Sequence, residues 1–284
     1  MIIIETPSCN ISKASGMGKV LQKCKLIVSE KCTKDYKKSF EAPDRSLQDL
    51  RGNIRQFRNA LILLAGDFRQ TFPVIPRSTP ADEINACLKY STLWRHVKTL
   101  KLTPNVRVQQ QNDQSAEIFS HQFLEIENGN VPVDLTSGRI SLPHNFGNIL
   151  TSKEELVVKV FPNIQTNYND HDWLSDLTIL AAKNKDVYEL NNIIQSNIRS
   201  EAVTYKTVDI VLDADVAVND PTECCITIKK ALGQSLELCG LYLEMDCFSH
   251  GKLYVVCSRV GKQDSLHIST VNGTIKSIVF SQAL

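Results

Sequence analysis

Long hydrophobic runs are missing from this sequence. The longest, Ala60-Leu61-Ile62-Leu63-Leu64-Ala65, falls far short of the roughly 20 apolar residues that cross a bilayer, so no membrane-spanning helix is expected. Met1-Ile2-Ile3-Ile4-Glu5 has no basic flank and too short an apolar stretch to read as a secretory signal. Glycine and proline are sparse, at 12 and 10 of 284 residues, and no repeat or sustained heptad occurs. Collagen-like, mucin-like and coiled-coil architectures are thereby excluded. C-x-x-C pairs are absent, although there are nine cysteines, at 9, 24, 32, 87, 224, 225, 239, 247 and 257. An odd number of scattered thiols without a secretory signal points to a reduced, intracellular protein. The six histidines are also scattered, and no structural zinc site is expected.

An excess of one charge is missing too: 32 basic against 31 acidic residues give a net charge of +1. The distribution is less even than the total. Residues 1–60 hold twelve Lys/Arg and six Asp/Glu, a balance of +6, which leaves −5 for the remainder. A basic leading segment can touch phosphates, or it can be a solvated helix face. With 42% hydrophobic and 22% charged residues, the chain can bury a core and is long enough for two domains.

Short β-like apolar runs alternate with helical patterns, the signature of a parallel α/β protein. Strands are expected at 25–28, 60–65, 97–102, 177–182, 226–228, 253–256 and 265–268, with a short one at 208–212. Helices are expected at 37–51 with Phe40, Leu47 and Leu50 buried, and at 81–90 with Ile84, Cys87 and Leu88 on one face. A helix at 115–127 has Ile118, Phe119, Phe123, Leu124 and Ile126 as its stripe, and one at 186–198 carries Val187, Leu190, Ile193 and Ile194. Residues 131–150, rich in Pro, Gly, Ser and Asn, read as a linker between domains at 1–130 and 151–284.

Three segments could carry chemistry. Gly66-Asp67-Phe68-Arg69-Gln70-Thr71-Phe72-Pro73-Val74 follows an apolar strand, where ligands of open parallel sheets sit. Ile226-Thr227-Ile228-Lys229-Lys230-Ala231-Leu232-Gly233-Gln234-Ser235-Leu236 ends a β-run in two lysines and a Gly-Gln-Ser, a loop suited to phosphodiester oxygens. Tyr254-Val255-Val256-Cys257-Ser258-Arg259-Val260 places an Arg, with its bidentate fork, at the end of a buried run. Each taken alone has a plain structural reading as a solvated turn, a polar loop and a surface ion pair.

In this order the three segments resemble superfamily 1 DNA helicases of the PIF (petite integration frequency) type, in the version carried by Helitron transposons. The family's third motif, G-D-x-x-Q-x-x-P-V, is met by Gly66, Asp67, Gln70, Pro73 and Val74. Its fifth motif resembles Ile226 to Leu236, and its sixth is met by Tyr254, Val255, Ser258 and Arg259. Leu102-Thr103-Pro104-Asn105-Val106-Arg107 is similar to the Helitron motif L-T-x-N-M-R, and Leu93-Trp94-Arg95 and Leu180-Ala181-Ala182-Lys183-Asn184 fit the same pattern.

The resemblance implies two RecA-like (P-loop NTPase) domains with ATP and Mg2+ between them, moving 5′→3′ on single-stranded or forked DNA. It implies roles in DNA recombination, repair, telomere maintenance or transposition, and a nuclear location. Carried over by motif, Gln70 senses the γ-phosphate, Arg107 and Arg259 reach it from across the cleft, and Glu30, Asp67 and Gly233 belong to the nucleotide site. Lys230 and Gln234 lie near the DNA.

The chain also departs from the family. G-x-x-x-x-G-K-(S/T) is absent, and Gly16-Met17-Gly18-Lys19-Val20 lacks the first Gly and the Mg-binding hydroxyl. Where the family has an apolar strand and D-E, Val28 is followed by Ser29-Glu30-Lys31: Glu30 stands at the Mg position and Lys31 at the catalytic carboxylate. A lysine cannot accept the attacking water's proton. Lys229 and Leu232 replace the family's His/Asn and Gln. The first domain is expected to lack its P-loop strand and helix. The second is expected to lack the small β-barrel insertion, with a deletion joint near 213–225. The strands at Leu26 and Leu61 should then expose an apolar face, and a partner chain could supply the missing elements. The expected activity is a helicase with little or no ATP turnover. The alternatives are a non-catalytic DNA-binding or interaction module, or a transposon remnant without a stable fold.

Overall fold

The computed structural model describes residues 8–52, 57, 60–73, 75, 77–102, 113–198, 224–244, 249–276 and 278–280. The expected strand at 208–212 and residues 213–223 of the expected deletion joint fall outside them. The chain divides into two compact units: Met1–Thr103 with Ser249–Gly251 and Val279–Leu284, and Pro104–Phe248 with Lys252–Ile278.

The first unit begins with α1 (Gly16–Lys23), β1 (Leu26–Glu30), α2 (Lys37–Arg51), β2 (Leu61–Ala65) and α3 (Pro80–Ala86). Ser15 caps α1 by accepting from the Gly18 N–H. At the other end of α1, the Arg51 guanidinium of α2 donates to Leu21 O at 2.6 Å and Cys24 O at 2.7 Å, satisfying terminal carbonyls that the helix cannot. Helix α2 matches its expected span and buries Phe40, Leu47 and Leu50; Gly52, at φ +64°, ends it in the left-handed conformation.

Strands β1 and β2 are parallel, with Leu26 opposite Leu61, Val28 opposite Leu63 and Glu30 opposite Ala65. None of the strand residues is fully buried: exposed and half-buried positions alternate in both strands. Ile62 and Leu64 lie against a small core of Cys32, Phe40, Leu88 and Leu93. A cavity of about 70 Å³ remains on that side, lined by Ile27, Ser29, Phe40, Pro43, Ile62 and Leu64 among others. On the opposite face Leu26, Val28, Leu61 and Leu63 are 49–68% exposed, as the sequence predicts for a sheet with one side uncovered.

The second unit contains α4 (Gln114–Glu127), β3 (Ile140–Ser141), β4 (Asn148–Leu150), α5 (Lys153–Val160), α6 (Ile164–Asn167), α7 (His171–Ser175), β5 (Leu177–Ala181) and α8 (Asn184–Asn197). It continues with β6 (Cys225–Thr227), β7 (Leu238–Leu243), α9 (Lys252–Cys257), β8 (Leu266–Thr270) and β9 (Thr274–Ile275). Five strands form one parallel sheet in the order β4-β8-β7-β5-β6. Both faces are covered, as parallel sheets require. Leu156, Val157 and Val160 of α5 and Leu190 and Ile194 of α8 share one core with Ile179 and Ala181. Phe119 and Ile126 of α4 and Leu253, Val255 and Val256 of α9 share the other with Leu180, Leu241 and Ile268. Successive residues of β5 thus serve opposite faces, the period-2 rule of a strand.

Several expectations are corrected. Residues 253–256 are helical, in α9, rather than a strand: their β-branched side chains are buried whichever way the backbone runs, and packing decides the backbone. The strand of this region is β7, whose apolar run is interrupted by Gly240 and gives no clear strand signal. A Cβ there would come within 2.8 Å of Val160 and 2.9 Å of Ile179, so the glycine is what lets α5 approach the sheet. Residues 97–102 form no strand; Leu100 and Leu102 are 78% and 98% exposed, and no neighbouring strand offers them a ladder among the described residues. The helix at 81–90 breaks at Cys87, whose ψ is +147°, and resumes as a single 3-10 turn. Ile118 of α4 is 51% exposed and stands off the buried stripe. Residues 131–150 carry β3, β4 and the buried Phe146, and the two units divide at Thr103 and Pro104. Among the described residues no helix is long and apolar enough to cross a membrane.

Candidate nucleotide and nucleic-acid sites

In the first unit the chemistry-bearing residues gather where β1 and β2 end. Glu30 closes β1 and is exposed; Lys31 follows in the left-handed conformation at φ +54° and opens the 3-10 turn Cys32–Lys34. That turn lies on Gly66, whose added Cβ would meet Thr33 Cγ2 at 2.8 Å and Cys32 Sγ at 3.0 Å. The strand ends are therefore locked side by side, and only glycine fits at the contact.

Beyond Gly66 the chain turns tightly. The Asp67 carboxylate accepts from Arg69 N–H at 3.0 Å, and Gln70 N–H donates to Asp67 O at 3.1 Å, an Asx turn. Asp67 and Gln70 are thus brought together, with Asp67 partly committed to its own turn. Lys89 Nζ stands 4.4 Å from the centre of the Phe68 ring, and burial holds its pKa below the usual lysine range.

One feature of this turn was not legible from its own sequence. His250, fully buried, stacks on Phe72 at 4.2 Å between ring centres and on Phe280 at 5.5 Å. Its Nδ1 accepts from Phe280 N–H at 3.0 Å, so Nε2 carries the proton that meets Phe68 O at 2.9 Å. Burial pushes this ring below the ordinary histidine pKa. Gly251, at φ +72°, packs directly on Arg69 O and Gln70, where no side chain fits. The His-Gly pair ahead of α9 could have been suspected only as an unexplained buried pair.

In the second unit the loop from Ile228 to Glu237 joins β6 to β7. Lys229, Lys230, Gly233 and Gln234 are exposed; Ala231, Leu232 and Leu236 are buried beneath them, and Gly233 turns at φ +95°. The structure thus brings Lys230, Gly233 and Gln234 together. Arg259 lies at the same place, but follows a helix and is only 7% exposed, with its guanidinium bonded to loop carbonyls. The sequence pattern predicts instead an arginine reaching outward from a strand end. Lys252 of α9, also buried, donates to Ala182 O at 3.3 Å. Asp186, in the first turn of α8, is buried with its pKa raised chiefly by desolvation. Arg107 lies outside the described residues.

The Gly16-to-Lys19 segment does not form a strand–loop–helix cradle for a phosphate. The first turn of α1, which holds Gly16-Met17-Gly18-Lys19, is closed by Ser15 rather than open to a phosphate, and no strand precedes it in residues 8–15. Gly18 is buried against Ser12. Among the described residues no three His, Cys, Asp or Glu side chains are grouped to hold a metal ion. The exposed lysine loop, by contrast, offers cations and amide groups suited to a phosphodiester backbone.

Residues 1–136 match the profile of the PIF1-like helicase family. No curated protein sequence matches the chain. The fold is similar to that of Pif1 helicase from Candida albicans, at 13% identity and a TM-score of 0.60, covering 94% of this chain and 76% of that one. It is similar as well to Bacteroides Pif1 in complex with ADP-AlF3 and ssDNA, at 12% identity and a TM-score of 0.60, covering 97% and 78%. Bacteroides Pif1 with ADP-AlF4 gives 13% identity and a TM-score of 0.55, covering 98% and 76%. The first 136 residues are thus similar in sequence to the PIF1-like helicase family, and the fold over most of the chain is similar to that of solved Pif1 helicases.

Proposed function

We propose that this chain holds single-stranded or forked DNA and hydrolyses ATP little or not at all, as a PIF1-like helicase relative whose nucleotide site has decayed. The observation that carries the reading is the end of β1: exposed Glu30, then Lys31 at the position of the family's catalytic carboxylate. A cation there cannot take the attacking water's proton, and the base alone is worth about 10²–10⁴ in rate. The capped α1 removes the other candidate for a phosphate cradle.

The DNA part of the reading draws on Bacteroides Pif1, solved with ssDNA, and on the structural basis of DNA unwinding at forked dsDNA by two coordinating Pif1 helicases. In this chain Lys230 and Gln234 are the proposed contacts. Gln70, Asp67, Gly233 and Arg107 are inherited members of a nucleotide site and Glu30 of its Mg2+ site, while Arg259, the matching residue of the sixth motif, is turned into its own unit. The first RecA-like unit is read as lacking its P-loop strand and helix, and the second as lacking a β-barrel insertion. The exposed apolar side of β1 and β2 supports a partner chain that covers it.

An active 5′→3′ helicase serving recombination, repair or transposition in the nucleus is the rival, favoured by the intact third-motif turn. Two measurements on the purified chain separate the readings: ATP hydrolysis with and without a dT oligonucleotide, and anisotropy of the labelled oligonucleotide from about 50 to 200 mM salt. Binding that weakens with salt, without turnover, is the expected result. DNA-stimulated hydrolysis that is lost in Gln70→Ala would establish a working ATPase, as the helicase reading requires. No binding, with no cooperative unfolding, would leave a remnant.

A further inference from the structure

We infer that Arg259 is the positioning residue of the lysine-bearing loop, clasping it from inside the second unit rather than projecting toward a nucleotide. Its guanidinium makes bonds in three directions. Nε donates to Val255 O at 2.8 Å within its own helical turn, and Nη2 to Ser258 Oγ at 2.6 Å. Nη1 donates to Gln234 O at 3.0 Å and to Ala231 O at 3.4 Å, across 25 and 28 residues of sequence. The backbone closes the clasp, since Leu236 N–H donates to Arg259 O at 3.0 Å.

The chemistry calls for this residue type. A cation inside a core is tolerated only when its donors are met, and the planar fork of arginine can meet several carbonyls at once. The two loop carbonyls it holds flank Gly233, the left-handed turn of the loop. Holding both fixes the turn, and with it the exposed Lys229, Lys230 and Gln234 that stand on the buried Ala231, Leu232 and Leu236. A loop ordered in advance loses less freedom on binding a phosphate backbone than one that must be ordered by it. That consequence for DNA rests on the function proposed above; the clasp itself does not.

The test compares wild type, Arg259→Lys and Arg259→Gln by hydrogen exchange and by anisotropy of a fluorescein-labelled dT oligonucleotide, in buffer free of nucleotide and Mg2+. Amides of residues 229–236 should exchange about tenfold or more faster in Arg259→Gln and by an intermediate factor in Arg259→Lys, while β5 keeps its protection. Oligonucleotide affinity should fall in the same order, with a shallower salt dependence. A general loss of stability, as in Leu180→Ala, would move β5 as well and not the loop alone. Unchanged exchange at 229–236 in both arginine variants overturns the inference. Should Arg259→Gln fail to fold, Arg259→Lys and Ser258→Ala carry the comparison, and an unaltered loop in both overturns it equally. Absence of oligonucleotide binding by the wild type would sink the DNA reading, while the exchange comparison still decides the clasp.

Discussion

The two parallel sheets are built from the same kinds of residue and end up in opposite conditions. Every residue of β5 in the second unit is buried, and its neighbours place helices on both faces. In the first unit β1 and β2 pair in good parallel register, yet no residue of either is fully buried. Leu-Ile-Leu-Leu-Ala of β2 is as apolar as Leu-Thr-Ile-Leu-Ala of β5. What differs is the number of layers around them. An apolar strand states what it could bury, and its neighbours determine how much of that burial is realised.

The largest expected effect lies on the covered sheet. Leu180→Ala, at a site with no exposure, should cost about 2–5 kcal/mol, measured by urea unfolding followed through Trp173 of the second unit. A loss below the low end would mean that this sheet too is loosely packed.

An intermediate effect is expected from His250, which sharpens the contrast by testing what the first unit relies on in place of a second layer. Its folded pKa is depressed by burial, so the unfolded chain binds the proton more readily. The His250 contribution should be fully present above about pH 6.5 and be lost as pH falls through and below that value. Unfolding of the first unit, followed through Trp94 in a Trp173→Phe background, should show this decline, and His250→Phe should flatten it. The same decline in the variant would assign the pH dependence to other groups.

The smallest effect is expected on the open face. Leu61→Lys should change stability by no more than about 0.5 kcal/mol and should raise solubility, since Leu61 is 68% exposed. A clear destabilisation would show that something covers this face in solution, in line with the proposed partner chain.

How much of this was legible in the sequence follows the same division. Helices α2 and α4 announced themselves because one face is apolar and the other polar, and Gly52 and Gly129 end or follow them at positive φ. Helix α9 did not, because Leu253, Val255, Val256 and Cys257 are buried nearly all round and leave no polar face to set the period. The central strand β7 was hidden by Gly240, a residue that weakens a strand signal and is there because α5 leaves no room for a side chain. In the site, the third-motif turn was legible from Asp67 and Gln70, whose bonds are local. The contact of His250 with Phe68 spans 182 residues, and the Arg259 clasp spans 25 to 28, separations at which one sequence carries no pairing information.

The stacking of His250 between Phe72 and Phe280 also sets a timetable. Most of the first unit is made before the second, yet its aromatic stack needs His250 and Phe280 from much later in the chain. Phe72 waits without His250 through the synthesis of β4 to β7, and without Phe280 through that of all five strands of the sheet. The unit begun first is therefore finished last, and a nascent chain halted before Phe280 would carry a completed second unit beside an open first one.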